Sequence, residues 1–245
     1  MTVAYDGHGF HGFVAQDGVR TVGGELRAAV SKALRHDVEL TCAGRTDRGV
    51  HAWGQVVSFD ASGSSFDADA LQKSVNSQLG PAVVAREVAV VDASFDARRS
   101  ALSRRYHYLV LNRPVPDPFF AATSWHVKTP LDLRAMQAAG DALIGEHDFT
   151  SFCRTPPGTC SVRRVVDLGW CDAGDDVRRF EIEASSFCHQ MVRSIVGTMV
   201  DMGRGRLRPG DMSGILRARD RAAAGQPAPP HGLTLWSVRY PAVAS

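Results

Sequence analysis

The chain has 245 residues, 44% of them hydrophobic, and its 28 basic and 26 acidic side chains leave a formal net charge of +2. That is ordinary for a globular protein with a substantial core, in one large domain or two small ones. Several classes are set aside: no apolar run reaches membrane-spanning length, no basic-then-apolar leader opens the chain, and the five cysteines lack a Cys-x-x-Cys pair, so they read as free thiols of a cytoplasmic protein rather than a disulfide framework or zinc site.

Val3 to Tyr5 reads as the end of a first strand, closed by the Asp6-Gly7 turn signal. Thr21 is placed to cap a helix in which Val22, Leu26, Ala29, Val30, Ala33 and Leu34 recur at helical spacing. A strand at Val38 to Thr41 leads into a stretch rich in charge and glycine, Cys42 to Gln55, and a strand from Gln55 to Phe59 follows. After a Ser/Gly loop from Ala61 to Ser65, Asp67 caps a helix that runs through Leu79 and is stopped by Gly80-Pro81. Val83 to Val91 reads as a strand. So does Arg104 to Leu111, whose alternation sets Tyr106, Tyr108 and Val110 on one face and His107, Leu109 and Leu111 on the other.

Pro114, Pro116 and Pro118 break the chain, which places a boundary between residues 1–113 and 114–245. The second half opens with a short strand at Ser124 to Val127 and a helix at Leu131 to Ile144 with Asp132 in its first turn. Gly145 to Phe152 reads as a loop, and a Pro/Gly loop from Thr155 to Thr159 follows. Val165 to Cys171 and Val177 to Ser185 form a hairpin around Ala173-Gly174-Asp175-Asp176. Phe187 opens a helix to about Met202, with Met191, Val192, Ile195, Val196, Met199 and Val200 as its apolar stripe and Arg193 off it. Asp211 to Arg219 is a further helix, Ala222 to Pro230 a Pro/Ala-rich loop, and Leu233 to Tyr240 a last strand. The order of elements is α+β with mixed and antiparallel sheets in two similar α/β halves, not regular βαβ alternation.

Within the charged stretch, Asp47 lies between Arg45 and Arg48, and Gly44 and Gly49 let the backbone turn sharply or approach a ligand. An Asp between glycines is by itself more often a turn residue than a catalyst. The string Gly44-Arg45-Thr46-Asp47, Gly49-Val50-His51-Ala52, Gly54-Gln55-Val56 resembles the signature of the bacterial tRNA pseudouridine synthases of the TruA type. Arg48 departs from it, since a small residue is commoner there. Phe10-His11-Gly12-Phe13, Phe95-Asp96-Ala97-Arg98-Arg99, the loop 145–152 and Met191-Val192-Arg193 resemble the same family, so the likeness runs along almost the whole chain. For Phe10 alone, loop packing is the reading preferred.

The resemblance implies two halves whose sheets join around a central active-site cleft. It makes Asp47 the nucleophile, Tyr106 the residue that stacks on the target uracil, and Arg193 the cation paired with Asp47. It assigns tRNA contact to Phe95, Asp96, Ala97, Arg98 and Arg99. It implies the anticodon stem-loop as the place of reaction, and a homodimer. A tyrosine on a strand is otherwise usually core. Arg45 fits either a pairing role or a phosphate beside the target, preferably the latter; His51 is structural or an RNA contact.

The chemistry explains the residue types. Uridine becomes pseudouridine when the bond from ribose C1′ to N1 breaks, the held uracil rotates, and C1′ re-bonds to C5. Attack on C1′, addition to the base and removal of a ribose proton all begin from an ionised carboxylate, hence a nearby cation. No cofactor or metal is called for, and no Walker loop, Gly-x-Gly-x-x-Gly or metal cluster is found. The target base must be flipped from its stack, which RNA-backbone contacts repay. Only three of the 28 basic residues are lysines, leaving 25 arginines, as phosphate binding or genomic base composition would produce. Five lie between Phe95 and Arg113 and seven between Arg193 and Arg221. Arg98, Arg99, Arg104 and Arg105, with Arg204, Arg206 and Arg208, are the candidates to grip phosphate.

Overall fold

Helix α1 (Val22–Leu34) starts where Thr21 caps it: the extended Thr21 accepts a hydrogen bond from Gly24 N at 3.2 Å, satisfying one of the amides a first turn leaves open. Its buried side, Val22, Leu26, Ala29 and Val30, keeps the spacing expected of one helix face. The structure is a computed structural model that describes residues 1–61, 66–154 and 159–241. The expected loops at 61–65 and 155–159 lie almost wholly outside those residues. The fold is α+β with mixed sheets, and the chain divides into two units: Met1–Arg104 with the chain from Thr234 onward, and Arg105–Leu233. The prolines at 114, 116 and 118 lie inside the second unit.

In unit 1, strand β1 (Thr2–Tyr5) pairs antiparallel with β3 (His51–Ser58) on one side and β4 (Val83–Glu87) on the other. A two-residue β2 (Thr41–Cys42) also pairs with β3. Helix α2 (Ala68–Leu79), capped by Asp67 accepting from Ala70 N at 3.0 Å, packs on β4 and α1. Its Asn76 amide bonds Ala85 N and Ala85 O at 2.7 and 3.0 Å, and Gln72 donates to Ala85 O and Arg86 O. These side chains satisfy backbone groups that β4, as an edge strand, would otherwise leave bare.

In unit 2, strand β5 (Ser103–Leu111) carries its first two residues in unit 1 and continues here. It pairs in parallel with β6 (Trp125–His126) and neighbours β9 (Val177–Ala184), followed by β8 (Val162–Asp172) and β7 (Gly145–Asp148). The β8–β9 hairpin runs from Val165↔Ala184 to Asp172↔Arg178, its turn held by Gly174, Asp175 and Asp176, all at positive φ. Helix α3 (Leu133–Gly140) packs on β8 and on α4 (Met191–Gly203), and α5 (Asp211–Ala218) lies against α3 and β7. The predicted stripe of α4 is fully buried, together with Ser194, Gly197 and Thr198. The last strand, β10 (Leu233–Arg239), returns to unit 1 from Thr234 and runs parallel to β3, with Thr234 opposite His51 and Leu235 opposite Ala52.

Several expectations are corrected. The strand foreseen at 38–41 is only Thr41–Cys42, and the one foreseen at 83–91 stops at Glu87. Strand β3 begins at His51, four residues before the expected start, because β1 and β10 pair with its first half. Asp132 is the N-cap of α3 rather than a first-turn residue, and the expected helix ends in a 3₁₀ turn, Asp141–Leu143. The expected loop 145–152 is β7 followed by a 3₁₀ turn, Thr150–Phe152. Helix α4 starts at Met191, so Phe187 to Gln190 precede it. The region 222–230 is flanked by 3₁₀ turns at Arg221–Ala223 and Pro230–Gly232. Not all cysteines are free: Cys153 and Cys188 form a disulfide, their Cα atoms 5.7 Å apart, whereas Cys42, Cys160 and Cys171 are free thiols. The 35-residue separation of that pair carries no local signal.

Candidate active site

The turn that carries Asp47 is fixed peptide by peptide. Ala43 N donates to Val56 O at 2.8 Å, and Ala43 O accepts from Arg104 Nε at 3.1 Å and Nη2 at 2.8 Å. Gln55, wholly buried on β3, holds both sides of Gly44: its Nε2 donates to Gly44 O at 2.6 Å, and its Oε1 accepts from Gly44 N at 3.4 Å. Thr46 is buried, its hydroxyl 2.7 Å from Tyr5 Oη and its carbonyl accepting from Phe13 N at 3.1 Å. Val50 N closes the turn onto Asp47 O at 3.1 Å, with Gly49 at φ 77°. The result is an alternation: Arg45 and Arg48 exposed, Thr46 buried, Asp47 half-buried. A carboxylate so held is preorganised, since its backbone loses little freedom on meeting a substrate.

Close approach to this turn depends on Gly12. It sits at φ 91°, and a Cβ there would lie 2.8 Å from Thr46 O and 3.4 Å from Asp47 C. His51 follows the turn and is buried, its Nδ1 3.1 Å from both Gly7 N and Asp6 Oδ1. That is the structural of its two readings, since the ring ties β3 to the end of β1. Phe10, also buried, packs under the Arg20 guanidinium, 4.3 Å from its ring centroid, as loop packing predicts.

The segment 95–101 is a built turn beside the same loop. Asp96 Oδ1 accepts from Arg99 N at 2.7 Å and Arg98 N at 2.8 Å. The Arg99 amide above all holds its carboxyl below the usual carboxylate range. Ala97 is buried, donating to Ser58 Oγ at 3.0 Å and accepting from Tyr240 Oη at 2.6 Å, while Phe95 packs against the Tyr240 ring at 4.9 Å. Arg98 and Arg99 point outward. Arg104 is buried; besides Ala43 O it donates to Arg98 O at 2.7 Å and Ala101 O at 3.3 Å, so it joins the Asp47 turn to this segment.

The remaining candidates belong to unit 2. Tyr106 is buried and meets Phe187 edge-on, centroids 5.1 Å apart and planes at 87°. Arg193 is half-buried near the start of α4, its Nε donating to Ala228 O at 2.7 Å and its carbonyl accepting from Ala228 N at 2.9 Å. Arg105 lies in a carboxylate network, 2.7 Å from Glu183, 3.4 Å from Glu181 and 3.9 Å from Asp167. Arg204 and Arg206 lie 3.7 and 3.2 Å from Asp201, and Arg208 is exposed. Among the described residues no group of three or more His, Cys, Asp or Glu is placed to hold a metal ion, and no helix is long and apolar enough to cross a membrane.

Sequence reasoning passed over Tyr5, Gln55 as a brace, and Phe187 as a ring partner. Gln55 carries a signal in retrospect, an amide ahead of the apolar Val56-Val57 on a strand. Such a buried amide needs partners.

Residues 1–98 and 139–241 match a family model described as tRNA pseudouridine synthase. Curated relatives named tRNA pseudouridine synthase A align along nearly the whole chain. The one from Brevibacillus brevis is 43% identical over 97% of this chain and 97% of its own. The Bacillus subtilis one is 38% identical over 98% and 97%, and the Leifsonia xyli one 38% over 98% and 91%.

Proposed function

The chain belongs to the tRNA pseudouridine synthase family, isomerases that act on tRNA, and from that membership we propose that it converts uridine to pseudouridine in the anticodon stem-loop. Asp47 is the nucleophile, Tyr106 stacks on the flipped uracil, and Arg193 is the cation paired with Asp47. The observation that carries the assignment is the Asp47 turn: a half-buried carboxylate between two outward arginines, on a backbone braced at Ala43, Gly44 and Thr46.

The reaction balances without an outside electron carrier. The C1′–N1 bond breaks, C1′ bonds C5, the proton on C5 is released, and N1 gains one. The carboxylate works on the sugar side while the uracil turns, so the base must be held against a flat apolar wall. Tyr106 backed by Phe187 supplies that wall. Arg45, Arg98 and Arg99, exposed beside the turn, are assigned to phosphates. Phe95, Asp96 and Ala97 shape the turn that presents Arg98 and Arg99. Arg104, whose head donates to three backbone carbonyls, is assigned to bracing, and Arg105 keeps its tRNA role only through the outer edge of its carboxylate network. The enzyme works in the cytoplasm as a homodimer.

The test is to incubate the protein with unmodified tRNA, without added metal or cofactor, and to quantify pseudouridine. Wild type forms it; Asp47→Ala forms none while binding tRNA within about threefold of wild type, since it loses a transition-state contact rather than a phosphate grip. Product formation by Asp47→Ala would overturn the nucleophile assignment.

A further inference from the structure

We propose that Tyr5 and Thr46, with Gln55 behind them, are positioning residues that fix Asp47, an inference that rests on Asp47 being the nucleophile. Three buried polar side chains, from β1, the turn itself and β3, join in one network along Gly44 to Thr46, just before Asp47. Gln55 Nε2 donates to Gly44 O at 2.6 Å and also reaches Tyr5 Oη at 3.4 Å. Because Gly44 N points at Oε1, the amide orientation of Gln55 is set, and its Nε2 faces the phenol as a donor. The phenol in turn shares a hydrogen bond with Thr46 Oγ1, 2.7 Å away, in which either hydroxyl can donate. A continuous chain of bonds therefore links Gln55 to Tyr5 to Thr46.

Plain burial explains why these groups are paired, but not whom they pair with. A tyrosine at the end of β1 has solvent or nearby backbone as ordinary partners. Here its hydroxyl lies inside, on the hydroxyl of the residue adjacent to Asp47, 41 positions along the chain. Phe13 N holds the Thr46 carbonyl from the other side, so Thr46 is gripped at both its side chain and its backbone. The Tyr5 and Phe13 rings, 6.2 Å apart, pack the two grips together. Burial drives the Tyr5 phenol well above its ordinary range, so it stays protonated and able to donate. Loss of the hydroxyl would free Thr46 to turn, and the Asp47 carboxylate would wander with it. Misplacement of a reacting group by about 1 Å is enough to cost on the order of 100-fold in rate.

The experiment measures single-turnover pseudouridine formation and tRNA affinity for Tyr5→Phe, Thr46→Val, their double variant and Thr46→Ser. Tyr5→Phe and Thr46→Val should each slow the reaction by about 10- to 100-fold, with the tRNA dissociation constant within about twofold of wild type. The double variant should be no slower than about threefold below the slower single one, because both remove the same bond. Thr46→Ser, which keeps the hydroxyl, should recover the rate to within about threefold of wild type. Unchanged rates, rate losses matched by equal losses of affinity, or losses that multiply in the double variant would each overturn the proposal. Asp47→Asn in the same assay separates this inference from the one beneath it. An inactive Asp47→Asn beside a normal Tyr5→Phe defeats positioning alone, whereas an active Asp47→Asn defeats both. If Thr46→Val does not fold, Tyr5→Phe decides the matter, since its ring still packs on Phe13.

Discussion

His107 sits buried on β5 with Glu181 at 3.6 Å and the arginines 105 and 179 close by. Burial, more than the attraction of Glu181, sets its affinity for a proton and holds it below the ordinary imidazole value of 6.5. The sign follows directly: the unfolded chain takes up that proton at a higher pH than the folded one. Stability is therefore lost as pH falls through the ordinary histidine value toward the folded one. Thermal unfolding of wild type at about pH 8 and about pH 5.5 should show a larger drop than that of His107→Gln, which has no proton to gain. An equal drop in both would assign the acid sensitivity elsewhere. At this scale motifs in the sequence singled out Asp47, Tyr106 and Arg193 as candidates, and Tyr5 ends β1 as expected, but nothing in the sequence pointed to the hydrogen bonds that Arg104 and Tyr5 make. The hydrogen bonds that define those two span 61 and 41 residues, and no local pattern encodes a partner that far away.

Helix α4 shows what packing adds to periodicity. Its apolar stripe was legible, but the stripe does not say that residues 225–228 run tight along the opposite side. Gly225 N donates to Thr198 Oγ1 at 2.9 Å, and Ala228 bonds Arg193 through both its N–H and its carbonyl. A Cβ at Gly197 would come within 1.8 Å of Gln226 O, a backbone atom with no easy way to yield. Helix propensity alone would favour Gly197→Ala by about 1 kcal/mol. Overlap should win, with a net loss of about 1–3 kcal/mol in denaturant unfolding. Gly214→Ala on α5, where a Cβ meets nothing within 4 Å, is the control and should gain up to about 1 kcal/mol. Elements with strong periodicity or caps, such as α1, α2 and the β8–β9 hairpin, were readable for that reason. Strand β7, Gly-Glu-His-Asp, was not: its composition is that of a loop, and only its register against Val162 to Val165 makes it a strand.

Across the whole molecule, a net charge of +2 predicts little attraction to RNA, whereas the distribution predicts a good deal. Many arginines are neutralised in place, as Arg105 is by Glu183 and Arg206 by Asp201. Arg45, Arg98 and Arg99 stand exposed beside one turn. Affinity for tRNA should fall steeply with salt, and the double change Arg98→Gln, Arg99→Gln should lower the slope of log affinity against log salt by about two, one for each phosphate contact given up. A slope unchanged by that pair would remove them from the RNA surface. The return of β10 to lie beside β3 has a further consequence, for the order in which the protein is made. Unit 2 has all its residues once Leu233 has been synthesised, but unit 1, begun at the first residue, waits for the strand that follows. During translation the first half of β3 therefore presents an unpaired edge for as long as unit 2 takes to appear, which is the interval of greatest exposure to mispairing with another nascent chain.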